Sequence, residues 1–152
     1  MKYAAPLWAI AFCATMSSSF AEAPEFYRNP DLPERFPFSS AVVVGDMIYL
    51  SGELGLDYEA FKLVDGGAGA ETKQIFKNYE ATLSALGASL SDIVKCTVFL
   101  DDMNEYAAMN AAYAAALPDP KPARSTFGVD GLALGAALEI ECIAVRKTDV
   151  ED

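Results

Sequence analysis

The stretch Leu138–Val145 constrains the fold more than any other part of the chain. Leu138, Ile140, Cys142 and Ala144 alternate with Glu139, Glu141, Ile143 and Val145. Alternation at a period of two marks a β-strand. One face of this strand is wholly apolar and belongs in a core. The other is half apolar and half acidic. A sheet built on such a strand needs cover on both faces, and two helices cover only one. A second copy of the chain is the simplest cover for the other.

The remaining elements follow from the same kind of reading. Ala41–Val44 and Met47–Ser51 flank Gly45-Asp46, a hairpin with glycine at the first turn position. Glu71–Leu86 is a helix, because Ile75, Phe76, Tyr79, Leu83 and Leu86 recur at helical steps and Gly87 stops it. Ile93–Leu100 is a strand. Asp102 with Glu105 resembles a capping box and opens a second helix, Met103–Leu117, closed by Pro118. Pro122–Val129 and Ala136–Arg146 are the last strands. The predicted fold is α+β in a single domain of order β-β-α-β-α-β-β, a mixed sheet with two helices on one face. The domain spans 38–148, preceded by an extended, proline-rich arm over 22–37 and followed by a tail at 149–152. Glu53–Ala70 reads as a long loop.

The N-terminus reads as a secretory signal over 1–21: Lys2, an apolar run from Tyr3 to Ala14, then Ser19-Phe20-Ala21 before the cut. That run is too short to span a bilayer as a helix. The expectation is an exported protein, periplasmic or secreted, with no stable membrane anchor after processing. Export would permit a bridge between Cys96 and Cys142. Both lie inside predicted strands, where buried free cysteine acts as a small hydrophobe, and the reading favours free thiols.

Composition narrows the chemistry. The chain has no histidine, and 22 Asp plus Glu against 11 Lys plus Arg give a net charge of −11. Histidine-based acid–base chemistry, Ser-His-Asp triads and His-containing metal sites are excluded. With no Cys-x-x-Cys spacing either, no metal is expected. The acidic balance disfavours nucleic acid and anionic membrane as partners. It leaves room for a local basic pocket. The segment Lys121-Pro122-Ala123-Arg124-Ser125-Thr126-Phe127 puts an arginine on one strand while Glu139 and Glu141 lie on the next. Buried ions need partners or a ligand. The planar fork of arginine suits a carboxylate.

The segment Pro122-Ala123-Arg124-Ser125 followed by Glu139-Ile140-Glu141-Cys142-Ile143-Ala144 resembles the RidA/YjgF family of small 2-imino acid deaminases. Gly45–Glu53, Ser91–Leu100 and Met109–Tyr113 resemble further blocks of that family in the same order, so the resemblance covers roughly 36–146. It implies a chorismate mutase-like fold assembled as a homotrimer, with three sheets lining a central barrel and active sites between subunits. It implies hydrolysis of 2-imino acids or their enamine tautomers to 2-oxo acids and ammonia, without a cofactor.

The resemblance also assigns residues. Arg124 would hold the substrate carboxylate, against the bland reading of a salt bridge to Glu139, Glu141 or an acidic loop. Glu139 would position the attacking water and manage protons, and Glu141 is the better structural partner. Ser51 and Asn110 match polar positions of the pocket. Phe38 stands where the family usually has tyrosine, Thr126 where it often has cysteine, and Glu53 where it has glutamine after Ser51-Gly52. The expected catalytic residues are therefore Arg124 and Glu139, and the expected substrate-binding residues Phe38, Ser51, Asn110, Arg124 and Thr126. The competing readings are a non-catalytic module binding a small metabolite, and a holdase or interaction protein.

Overall fold

The structure is a computed structural model and describes residues 23–147. The expected secretory signal and the C-terminal tail at 149–152 lie outside the described residues.

The strands are β1 (Glu25–Tyr27), β2 (Ala41–Val44), β3 (Met47–Leu54), β4 (Leu56–Asp57), β5 (Lys62–Leu63), β6 (Ile93–Leu100), β7 (Ala123–Gly128) and β8 (Leu138–Val145). The helices are α1 (Gly67–Ala85) and α2 (Tyr106–Ala116). Six strands form one sheet in the order β1-β2-β3-β8-β6-β7. The pair β6–β7 is parallel and the other neighbours are antiparallel, so the sheet is mixed, as expected. α2 is the crossover that a parallel pair requires.

The alternation in β8 survives in three dimensions. Leu138, Ile140, Cys142 and Ala144 are buried with Ile48, Leu50, Val98 and Leu100 against Ile75, Phe76, Tyr79 and Leu83 of α1 and Met109 and Tyr113 of α2. The opposite face is open. Tyr49 and Phe127 remain about half exposed there, and Phe127 stacks on Phe99 with ring centroids 6.5 Å apart.

Several boundaries differ from the sequence reading. α1 starts four residues before Glu71, because Oε2 of Glu105 accepts a 2.6 Å hydrogen bond from the backbone N–H of Ala68. A carboxylate at a helix N-terminus satisfies an orphan donor and complements the dipole. Glu105 is thereby turned away from its own helix, so the expected capping box is only half made. Asp102 accepts from the backbone N–H of Asn104, and Met103–Glu105 is a short 3₁₀ turn ahead of α2. At the other end of α1 the glycine stop holds. Gly87 has φ of 72°, and Ala88 N–H donates to Leu83 at 2.8 Å, closing the helix as a Schellman turn.

The arm and the long loop carry more structure than expected. Residues 25–27 add an edge strand to β2. β4 and β5 make a small separate hairpin within the expected loop. Arg28 holds the following segment by donating to the carbonyls of Pro33, Phe36 and Phe38.

The cysteines are joined. Cys96 and Cys142 face each other directly in the β6–β8 register, with Cα atoms 4.1 Å apart, and form a disulfide. The expectation of free thiols is corrected. Both cysteines point to the same buried face, and antiparallel pairing brought them within bonding reach.

Candidate functional site

The expected site residues fall into two groups, and the sheet separates them. Arg124 pairs with Cys96 and Thr126 with Val98 in the β6–β7 register. Both therefore project to the helix side. Glu139 lies opposite Phe99 on the open face. Side chains alternate across a strand, so Arg124 and Glu139 point away from each other.

On the helix side, Arg124 is held by neutral groups. Its Nη2 donates to Tyr106 Oη at 2.9 Å and to Oδ1 of Asn110 at 2.8 Å. Its guanidinium carbon lies 4.6 Å from the centre of the Tyr113 ring and 5.8 Å from that of Tyr106. Stacking on an aromatic face orients the fork without neutralising it. Among the described residues no carboxylate pairs with Arg124. Burial raises the pKa of Tyr113 and the nearby guanidinium opposes the rise. Tyr106, Asn110 and Tyr113 come from α2, whose helical spacing brings them to one side. Asn110, Tyr113, Ala114, Lys121, Pro122 and Arg124 line a hollow of about 330 Å³. Lys121 caps the carbonyls of Ala114 and Leu117 at the end of α2. The hollow is thus a local basic pocket on an acidic chain.

Phe38, Ser51 and Glu139 line the second group, a larger cleft of about 410 Å³. It exists because β3 is bulged. Leu50 pairs with Cys142 but Glu53 pairs with Ile140, so Ser51 and Gly52 oppose a single residue, Glu141. The phenol of Tyr79 fills the gap from beneath, bonding the carbonyls of Ser51 and Ile140. Above the bulge, the hydroxyl of Ser51 donates to the carbonyl of Ser39 at 2.7 Å and anchors the segment that carries Phe38. Phe36 lies 5.7 Å from Phe38 and 5.9 Å from Phe61, centroid to centroid. With Leu32, Leu54 and Leu134 these rings make the cleft largely apolar.

Two glutamates border this apolar cleft, Glu139 from the open face and Glu53, opposite Ile140 in the register, from the helix side. Glu139 lies over Gly52, and burial followed by the charge of Glu141 raises its pKa. Glu53 accepts from Nδ2 of Asn78 at 2.9 Å and from the hydroxyl of Tyr58 at 3.0 Å. Desolvation by burial pushes its pKa up to about 7, against the lowering effect of those two hydrogen bonds and with a smaller upward push from Glu139. The sequence reading named Glu53 only as a departure and missed Tyr106, Tyr113, Tyr58 and Asn78 as parts of a site. Tyr106 and Tyr113 were visible as partners of Asn110 on one helix face. Tyr58 and Asn78 had no local signal.

A family model described as Endoribonuclease L-PSP matches residues 31–146. The chain belongs to this family, the RidA/YjgF proteins. It is 43% identical over 108 residues to "Reactive Intermediate Deaminase A, chloroplastic" of Arabidopsis thaliana, covering 71% of this chain and 58% of that relative. It is 42% identical over 110 residues to "2-iminobutanoate/2-iminopropanoate deaminase" of Mus musculus, covering 72% and 82%. It is 39% identical over 122 residues to "Protein mmf1, mitochondrial" of Schizosaccharomyces pombe, covering 78% and 74%. The crystal structure of RidA from an Antarctic Psychrobacter superposes with a TM-score of 0.74 at 37% identity, over 80% of this chain and 98% of that one. The RidA fold expected from the sequence is the fold observed.

The expected secretory signal and periplasmic destination are corrected by the same relatives. Those whose names state a compartment are chloroplastic and mitochondrial. A single lysine ahead of a short apolar run is too general a pattern to specify export.

Proposed function

We propose that this RidA/YjgF protein hydrolyses 2-imino acids, or their enamine tautomers, to 2-oxo acids and ammonia. The observation that carries the reading is the guanidinium of Arg124, held by Tyr106, Asn110 and Tyr113 without a carboxylate partner. A cation fixed by neutral groups is ready for the carboxylate of a small ligand. Charge-assisted hydrogen bonds contribute about 1.5–3 kcal/mol each, enough for a bidentate pair to dominate the affinity of a molecule this small. Deaminases of this kind among the relatives support the reaction class.

The working site needs two copies of the chain. Arg124 and Asn110 from one copy would face Glu139, Ser51 and Phe38 from the next, in a homotrimer whose open sheet faces are covered by one another. Glu139 would take a proton from water as the oxygen attacks the imine carbon. The rings of Phe36, Phe38 and Phe61 would receive the side chain of the imino acid, which favours apolar substrates. No metal or cofactor has a role in these steps. The family description speaks of an endoribonuclease. A net charge of −11 and a chain without histidine weigh against RNA as a substrate.

The test uses an imino acid generated by an amino-acid oxidase and trapped with semicarbazide. The protein should divert the imine to the oxo acid, and Arg124→Ala should lose binding and turnover together. Equal diversion by wild type and Arg124→Ala would remove the assigned role. An inactive wild type whose binding of a small carboxylate depends on Arg124 would make the protein a metabolite-binding module.

A further inference from the structure

We propose that the apolar cleft selects 2-imino acids with an aromatic side chain, and that Phe61 and Leu134 set this preference. The inference rests on the deaminase reading and names the substrate class of that site. It departs from the relatives named for 2-iminobutanoate and 2-iminopropanoate, whose side chains are ethyl and methyl.

Two backbone outliers point to these residues. Among the described residues, Phe61 and Leu134 are the only ones besides glycine with positive φ, at 50° and 60°. That conformation is strained for a bulky residue, because Cβ crowds the carbonyl oxygen that follows. The two come from separate loops. Phe61 is the last residue of the turn between β4 and β5, and Leu134 lies in the 3₁₀ turn Ala133–Gly135 ahead of β8. Both line the same cleft.

Neither turn needs its side chain. The β4–β5 turn is closed by Asp57, whose Oδ1 accepts from the backbone N–H of Glu59 at 2.9 Å and of Ala60 at 3.3 Å. Glycine or asparagine would end it without strain. Leu134 is 62% exposed, so burial in the core does not hold it in place. Strain kept at two points of one cleft fits a site whose ligand gains from it.

The rings indicate which ligand. Phe36 makes tilted contacts with Phe38 and Phe61, at interplanar angles of 58° and 41°. Arg35 spans the rings of Phe36 and Phe61, with its guanidinium carbon 5.1 and 5.4 Å from their centres, and steadies the pair. Phe38 is still about half exposed and offers ring surface to a further ring. A methyl or ethyl group would leave most of the 410 Å³ uncovered, whereas a benzyl group would meet the rings and Leu134. Ser51 and Glu139 border the same cleft, so this subsite adjoins the glutamate assigned to activate water.

The experiment compares the imines that an amino-acid oxidase makes from phenylalanine and from 2-aminobutyrate. Wild type should favour the aromatic imine by about tenfold or more in kcat/KM. Phe61→Gly and Leu134→Gly should each cut that ratio by about tenfold. Phe61→Gly should also melt above Phe61→Ala, the reverse of the usual order, because glycine suits the positive φ. A ring that served only to anchor the turn would leave the ratio alone. If Phe61→Gly fails to fold, the exposed Leu134 carries the test. A wild type that favours the smaller imine, or a ratio that neither variant lowers, overturns this proposal and leaves the deaminase reading standing. A wild type inactive on both imines overturns the deaminase reading. Calorimetry with phenylpyruvate and 2-oxobutanoate then decides the subsite: tighter binding of phenylpyruvate that Phe61→Gly abolishes supports it, and equal binding overturns it.

Discussion

Arg124 and Glu139 project from opposite faces of one sheet, Arg124 beside Cys96 toward the helices and Glu139 beside Phe99 toward the open face. One chain does not bring this guanidinium and this carboxylate to one small molecule. Neighbouring copies can, if the β7 edge that carries Arg124 in one copy packs against the Glu139 end of the open face in the next. Purified protein is therefore expected to scatter light as about three subunits. Phe127→Asp, which puts a charge on the exposed ring stacked against Phe99, should shift the population to monomer and abolish turnover while the circular dichroism stays native. A wild-type monomer at micromolar concentration would contradict the shared site.

Gly52 holds the cleft open for Glu139. A methyl group there would sit 1.9 Å from Oε1 of Glu139. The obstructing atom is the tip of a flexible side chain, so it can swing aside at small cost to folding. Its catalytic placement would be lost. Gly52→Ala should keep its stability within about 1 kcal/mol of wild type and lose about tenfold or more in kcat. Unchanged turnover would show that Glu139 works from another position.

How much of this was legible in the sequence follows from the range of each signal. The strand Ile93–Leu100, the Gly45-Asp46 hairpin and the stop at Gly87 were readable because each depends on residues a few positions apart. The face of β8 was readable from its period of two. The start of α1 was not, because Glu105 caps it from a segment 37 residues away. The Ser51-Gly52 bulge was hidden for the same reason: its support is Tyr79, 28 residues downstream. The arginine and glutamate were legible as types and positions. Their separation across the sheet was not, since it depends on the order in which β6, β7 and β8 pair.

The cap on α1 gives a direct check. Glu105→Ala should cost about 1 kcal/mol and lower Tm, by the usual magnitude of a lost N-terminal cap. Asp102→Ala, which caps only a 3₁₀ turn, should cost less. Equal losses would mean that the bond from Ala68 to Glu105 does not support α1.

Glu53 also sets a pH dependence of stability. Its folded pKa, about 7, lies above the unfolded value of a glutamate. The folded state therefore binds more protons between these values. Stability from this group is fully present below the unfolded pKa and is lost as pH rises through the folded one. Glu53→Gln should be more stable than wild type by roughly 1–3 kcal/mol at pH 8 and show no such gain at pH 4, measured by urea unfolding. A gain that does not change with pH would mean that Glu53 is ionised in the folded protein throughout.

The shared imine-hydrolysing site is tested most directly by mixing two inactive variants. Arg124→Ala and Glu139→Gln are each expected to lose deaminase activity. Unfolded and refolded together in equal amounts, they should recover about a quarter of wild-type turnover, the share of interfaces that join an intact arginine to an intact glutamate. No recovery, in mixed trimers confirmed by mass, would contradict a site built from Arg124 of one copy and Glu139 of the next.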